Sequence, residues 1–246
     1  MRIDHPLPSE ESQLRTLWQT VFGDSDAYLD LFFSTAFAPD HCMCIRLEQQ
    51  ILAAAYWLDC HISGKKAAYI YAVVTAPAHR GQGLCRQLMD AIHARLSAAG
   101  YCGSLLVPAD TGLRRMYAGM GYENFGGIQE YPCAPADIKA PLRQLDATAF
   151  AALRRQYLPE NAVIQEGAQL ALLEKLAAFY AGEDCLLTVA DGRVLEYWGN
   201  KETAPGALAA LGICQTKLRI PGNDPFAMYR PLTQDPTPTY FAFAFD

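Results

Sequence analysis

The chain lacks a Cys-x-x-Cys pair, a long apolar run and any surplus of basic residues. Its eight cysteines, Cys42, Cys44, Cys60, Cys85, Cys102, Cys133, Cys185 and Cys214, are scattered. No spacing among them matches a zinc site, so no metal is expected. Free, mostly buried thiols in a reducing compartment are the expectation. No segment approaches the roughly 18 consecutive apolar residues of a membrane span. The opening MRIDHPLPSEES is polar, with two prolines, and offers no apolar core for a secretion signal. A soluble, cytoplasmic protein with no membrane partner is therefore expected. Lys and Arg number 20 against 26 Asp and Glu, a net charge of -6. Without a basic excess a nucleic-acid partner is not expected, and the acidic balance is compatible with a cationic substrate.

What is present is an ordinary globular composition. The 246 residues are 51% hydrophobic and 19% charged, enough for one large domain or two small ones with a real core. Leu14, Leu17, Trp18 and Val21 recur at i, i+3, i+4 and i+7, predicting a helical stretch over residues 9–37. Ser9, Ser12 and Gln13 offer N-cap chemistry, and Gly23-Asp24 breaks the run before a second helix over 28–33. Strands are predicted over 41–47, 51–62 and 67–75, separated by turns at 48–50 and 63–66. Pro77 ends the third. An amphipathic helix over 84–99 places Leu88, Ile92 and Leu96 on one face and stops at Gly100. A strand at 104–107, a helix at 111–120 and a strand at 122–131 complete the first half.

Pro132, Pro135 and Pro141 then punctuate ten residues. This predicts a first domain over 1–131, a linker over 132–141 and a smaller α/β domain over 142–246. Helices are predicted there at 146–157, 167–180 and 203–211. A hairpin turns at Asp191-Gly192, and strands follow at 217–220, 226–230 and 240–245. Leu106-Val107-Pro108-Ala109-Asp110 is echoed by Arg219-Ile220-Pro221-Gly222-Asn223, each followed by a Met-Tyr pair. An internal duplication and a chance echo both account for that.

The chemistry concentrates at Arg80-Gly81-Gln82-Gly83-Leu84-Cys85, a glycine turn between a strand and a long helix. Unpaired backbone N–H groups and the positive end of the helix dipole make such a turn an anion site. Glycines let the backbone approach the anion, and Arg80 adds a cation at the rim. The Walker pattern is absent, and Arg86 stands where the dinucleotide fingerprint needs its third glycine. Coenzyme A is the remaining pyrophosphate.

In its setting this loop resembles the GNAT acetyltransferase signature [Q/R]-x-x-G-x-[G/A], with Pro77 three residues ahead of Arg80. The segment Leu113 to Tyr122 looks like the element that follows that family's fifth strand. The resemblance covers roughly residues 1–131. It implies an α/β GNAT fold with a mixed, splayed central sheet flanked by helices, and acetyl-CoA as cosubstrate. It implies that the backbone of Arg80, Gly81, Gln82, Gly83, Leu84 and Cys85 binds pyrophosphate. Val73, Val74 and Thr75 would splay from residues 104–107 and pair with the pantetheine arm. Tyr117 stands where many members keep a tyrosine that protonates the departing thiolate; a core aromatic is its other reading. Three positions depart from the family. Cys85 replaces a small residue. Asp110 falls where an Asn often lies near the cofactor. Tyr69 occupies the place of a frequent Glu base, leaving the base unassigned. Tyr69 and Tyr71 read as pocket lining, and Asp59 and His61 as residues that could face a cleft.

The tail Tyr240-Phe-Ala-Phe-Ala-Phe-Asp246 alternates aromatic and small residues, predicting a strand with Phe241, Phe243 and Phe245 inward. Asp246 is then a candidate base, carrying side-chain and terminal carboxylates together; a tail that merely completes a sheet is the alternative. The resulting expectation is acetyl transfer from acetyl-CoA to a primary amine on a small molecule or peptide. The rivals are a non-catalytic CoA-binding or regulatory module, and a chain whose residues 203–246 form an oligomer interface. Nothing in the sequence sets the oligomeric state.

Overall fold

A computed structural model describes residues 1–214, 217–235 and 237–243. The first half is built on strands β1 (Arg2–Asp4), β2 (Cys42–Leu47), β3 (Gln50–Ile62), β4 (Lys65–Thr75), β5 (Gly103–Leu106) and β6 (Glu123–Pro132). Helices α1 (Glu11–Phe22), α2 (Asp26–Thr35), α3 (Leu84–Ala98) and α4 (Thr111–Ala118) flank them. The break foreseen at Gly23-Asp24 is real. Gly23 is left-handed at φ 75° and closes α1 with its N–H on the Gln19 carbonyl. The Ser25 side chain caps α2 by accepting from the Tyr28 N–H.

β3 lies inside the sheet between β2 and β4, and both of its faces are covered. Ala54, Tyr56, Leu58 and Cys60 pack with Leu14, Trp18, Leu29 and Phe32 from α1 and α2. Ala53, Ala55 and Trp57 pack with Leu84, Leu88, Ile92 and Leu96 from α3. Ser63 and Gly64 turn β3 into β4 with consecutive positive φ of 50° and 77°, the geometry of a tight two-residue hairpin.

The second half contributes β7 (Arg143–Leu145), α5 (Ala147–Tyr157), β8 (Val163–Ile164), α6 (Ala168–Leu176), β9 (Ala178–Ala181), β10 (Cys185–Ala190), β11 (Arg193–Gly199), α7 (Ala204–Leu211), β12 (Lys217–Pro221) and β13 (Asp224–Pro231). The helix expected over 167–180 ends at Leu176; residues 178–181 are instead a strand, because they pair with both β10 and β7. A four-stranded sheet runs β11-β10-β9-β7.

The remaining strands return across the proline-rich segment. The first sheet runs β1-β2-β3-β4-β5-β13-β6-β12, with β8 alongside β3. β13 sits antiparallel to both β5 and β6. It thereby satisfies backbone groups that a gap between those strands would orphan, and it buries Ala227, Met228 and Tyr229. Residues 132–141 separate two sheets, yet strands from beyond them complete the first.

Element order also repeats. β1-α1-α2-β2-β3-β4-α3-β5 is matched by β7-α5-α6-β9-β10-β11-α7-β12, with β8 interposed. β11 and β12 lie side by side without pairing. The proline-rich segment runs along the first turn of α7, where the N–H groups of Ala136 and Ala140 donate to the Pro205 and Gly206 carbonyls.

The tail differs in detail from the expected strand. Phe241 and Phe243 are buried as foreseen, but Tyr240 and Ala242 are buried too. The segment is held by separate bonds, Val163 N–H to the Tyr240 carbonyl at 2.9 Å and Gln165 Nε2 to the Phe243 carbonyl at 3.0 Å. Residues 244–246, Phe245 and Asp246 among them, lie outside the described residues.

Candidate active site

β4 and β5 run parallel, but the register holds only for Ala68 with Ser104 and Tyr69 with Leu105. Beyond that point they part. On its other edge, β4 slips register against β3 between Ala54 and Tyr56. Ala72, opposite this slip, takes a positive φ of 48°. Such a bulge bends the strand and re-aims its end. Val73, Val74 and Thr75 form that end. Val74 is fully buried opposite Ala54, while Val73 faces a cavity of about 380 Å³.

The glycine turn opens α3. Gly81 and Gly83 have φ of 75° and 77°, and Gly83 caps the helix without any side-chain acceptor on its first N–H groups. A Cβ built on Gly81 meets nothing within 4 Å, and one on Gly83 meets only Gln87 Nε2 at 3.9 Å. The space over the turn is open. Leu84 is buried and anchors the helix start, Arg80 and Gln82 are exposed, and Arg80 Nε donates to the Thr75 carbonyl at 3.3 Å. Cys85 is partly buried, and burial pushes its thiol up to about 11. It remains a thiol, and a thiol is a poor nucleophile.

Two faces of the cavity come from predicted elements. Leu106 ends β5 and Val107, Pro108 and Ala109 follow it; Leu113 and Tyr117 come from α4. Tyr117 is buried, edge-on to Tyr122 with centroids 5.8 Å apart. Burial, with the neighbouring Cys85 and Tyr122, holds its hydroxyl firmly protonated. Asp110 stands at the start of α4. Its Oδ1 accepts from the Leu113 N–H at 2.7 Å, so the carboxylate caps α4.

The third face was not anticipated. Trp18, Phe22, Asp24 and Tyr28, at the α1–α2 corner, line the cavity opposite Tyr69 and Tyr71. Trp18 Nε1 donates to Asp24 Oδ2 at 2.7 Å, and the Tyr28 and Tyr71 hydroxyls share a 2.6 Å hydrogen bond. Tyr69 is backed by Phe241 of the tail, with ring centroids 5.0 Å apart. Asp59 and His61 are not part of the lining. Asp59 instead accepts from Tyr101 at 2.6 Å and pairs with Lys66 at 2.8 Å. Among the described residues no group of His, Cys, Asp or Glu side chains could hold a metal ion, and no helix is long and apolar enough to cross a membrane.

Residues 2–125 match the family model described as an acetyltransferase (GNAT) domain. The chain belongs to the GNAT acetyltransferase family. It is accordingly an acyltransferase. Among solved structures it is similar to a GCN5-related N-acetyltransferase from Anabaena variabilis, at 16% identity and a TM-score of 0.73, covering 94% of this chain and 73% of that one. A GCN5-related N-acetyltransferase from Kribbella flavida matches at 19% identity and a TM-score of 0.69, covering 94% and 70%. At such identities the likeness is one of fold, and it extends through both halves of the chain. No curated protein sequence matches.

For a GNAT chain the arrangement is chemically economical. The parted strand pair and the protonated Tyr117 phenol meet at one cavity, with the aromatic corner on its other side. Nothing local in the sequence marks that corner, since Gly23-Asp24 reads only as a helix break. The one clue was the density of aromatic residues in 18–37.

Proposed function

We propose that this enzyme moves an acetyl group from acetyl-CoA directly to the primary amine of a small molecule or peptide. The observation carrying this reading is the cavity left where β4 and β5 part, lined by Val73 and Tyr117, in a chain whose glycine turn at 80–85 opens α3 with free space above it. Arg80 to Cys85 present backbone N–H groups to the CoA pyrophosphate. The pantetheine arm pairs with the freed edge of β4 at Val73 to Thr75. The amine nitrogen bonds to the acetyl carbonyl carbon, and backbone N–H groups around Val74 stabilise the oxyanion. The C–S bond breaks, and Tyr117 protonates the departing thiolate and is reprotonated from solvent.

The attacking nitrogen must also lose a proton, and Asp246 is the base in this reading. Support comes from the tail, which passes Tyr69 through Phe241. Asp246→Asn should depress kcat most at low pH; equal turnover across the pH range would remove Asp246 from the mechanism. The reaction itself is tested by incubating the full chain with acetyl-CoA and an amine panel. Free thiol and acetylated amine should appear in equal amounts. Thiol release without acetylated amine would mean hydrolysis and would overturn the reading.

A further inference from the structure

One wall of the cavity is set from beyond the proline-rich segment. Tyr69 lines the cavity at the last register pair of β4 with β5, opposite Leu105, so it stands at the vertex where the two strands begin to part. It is almost fully covered, and Phe241 of the tail packs behind it with ring centroids 5.0 Å apart, without lining the cavity itself. Phe241 is fully buried in turn. Phe226 of β13 stacks against it at 6.2 Å and 27°. β6 approaches its backbone closely: a Cβ built on Gly126 would lie 3.2 Å from the Phe241 nitrogen. On either side the tail is pinned by residues of the second half. The Tyr240 carbonyl accepts from the Val163 N–H at 2.9 Å, the Tyr240 hydroxyl donates to Glu196 at 2.8 Å, and the Phe243 carbonyl accepts from Gln165 Nε2 at 3.0 Å.

A close-packed interior transmits a push instead of absorbing it. Tyr69 therefore has nowhere to retreat while the Phe241 ring fills the space behind it. Extra methylenes driven against such a wall force side chains off their rotamers or shift the backbone, which opposes binding. Removing the Phe241 ring would leave a void that Tyr69 could enter. The depth of the cavity at its vertex is thus fixed by a residue of the tail.

Resting on the acetyl-transfer reading above, we infer that Phe241 sets the length of the acyl group this enzyme accepts. On that reading the pantetheine arm runs from the turn at 80–85 past Thr75 and Val73, so the thioester lies towards Tyr69 and its acyl carbons point at the vertex. An acetyl group stops short of the wall, whereas a butyryl or hexanoyl chain must displace it. Phe241 touches no reacting atom; it determines specificity through Tyr69. The second half thereby takes part in substrate choice as well as completing the first sheet.

The experiment needs no acceptor. Calorimetric titration of the full chain with acetyl-CoA, butyryl-CoA and hexanoyl-CoA is compared for the parent, Phe241→Ala and Phe241→Leu. The parent should bind butyryl-CoA and hexanoyl-CoA at least about tenfold more weakly than acetyl-CoA, the size of an overpacking penalty. In Phe241→Ala that gap should close to less than about threefold, with acetyl-CoA affinity little changed. Phe241→Leu, which keeps most of the buried volume, should give a gap between the two. Any general loss of stability acts on all three ligands alike, so the ratio within one variant reports the wall alone. Should Phe241→Ala fail to fold, Phe241→Leu decides, and a gap equal to the parent's overturns the inference. So does a parent that binds acetyl-CoA but does not discriminate by chain length, or a gap that persists in a folded Phe241→Ala. A parent that binds none of the three overturns the underlying acetyl-transfer reading as well.

Discussion

Arg230 donates its Nη1–H to Nδ1 of His93 at 2.8 Å, tying β13 to α3. Arginine has only donors, so Nδ1 must be the acceptor and the imidazole proton sits on Nε2. Nε2 is 2.9 Å from the Tyr122 hydroxyl and 3.1 Å from Ser104 Oγ. Burial and then Arg230 push His93 down to about 3 from 6.5. The unfolded chain therefore binds a proton that the folded chain refuses. Stability from this group is present above about pH 6.5 and is lost as pH falls towards 3. Between pH 7 and pH 5 the loss is about 2 kcal/mol. Urea unfolding of the parent and of His93→Gln at those two pH values checks this: the variant should lack that share of the slope. An identical slope would show that His93 is not the acid-sensitive group.

That relationship also shows what could not be read from sequence. The glycine turn was legible because strand, Pro77, glycines and helix are neighbours along the chain. Tyr117 was legible for the same reason, through its spacing from Gly121-Tyr122. The position of β13 was not. A strand at 226–230 can be read from its own residues, but its pairing between β5 and β6 depends on edges a hundred residues away. The error at 178–180, read as the end of a helix, has a similar origin. Ala177-Ala178-Phe179-Tyr180 continues a helical composition, and only the partners β7 and β10 make it a strand. The aromatic corner at Asp24 lies between these cases: its residues are close in sequence, but Asp24 becomes a cavity residue only when β4 is folded opposite.

Tyr117 provides a kinetic test. If it protonates the thiolate, Tyr117→Phe should lower kcat by roughly 10²–10⁴. Acetyl-CoA affinity should barely change, since the ring remains against Tyr122. An unchanged kcat, with chemistry shown to limit the rate, would make Tyr117 a core aromatic.

The tail rests on a buried ion pair. Arg154 Nε and Nη2 each lie 2.8 Å from a Glu196 oxygen, and Tyr240 donates to the same carboxylate at 2.8 Å. The Arg154 guanidinium also stacks 4.4 Å from the Phe243 ring centroid. Both charged side chains are almost fully buried. Glu196→Gln would strand the guanidinium and should destabilise the chain by about 3–5 kcal/mol, read by urea unfolding at neutral pH. A loss below about 1 kcal/mol would mean that water reaches Arg154.

On the proposed reading CoA binds across the turn at 80–85. Calorimetric titration of the full chain with acetyl-CoA, ATP and NADH, repeated on Gly83→Val, tests it most directly. At φ 77° a β-branched residue is strained, and its side chain would stand where the pyrophosphate approaches the backbone. One acetyl-CoA should bind per chain, at least about tenfold more tightly than either nucleotide, and Gly83→Val should bind none. Binding of a nucleotide in preference to acetyl-CoA, or parent-like acetyl-CoA binding by Gly83→Val, would contradict the account.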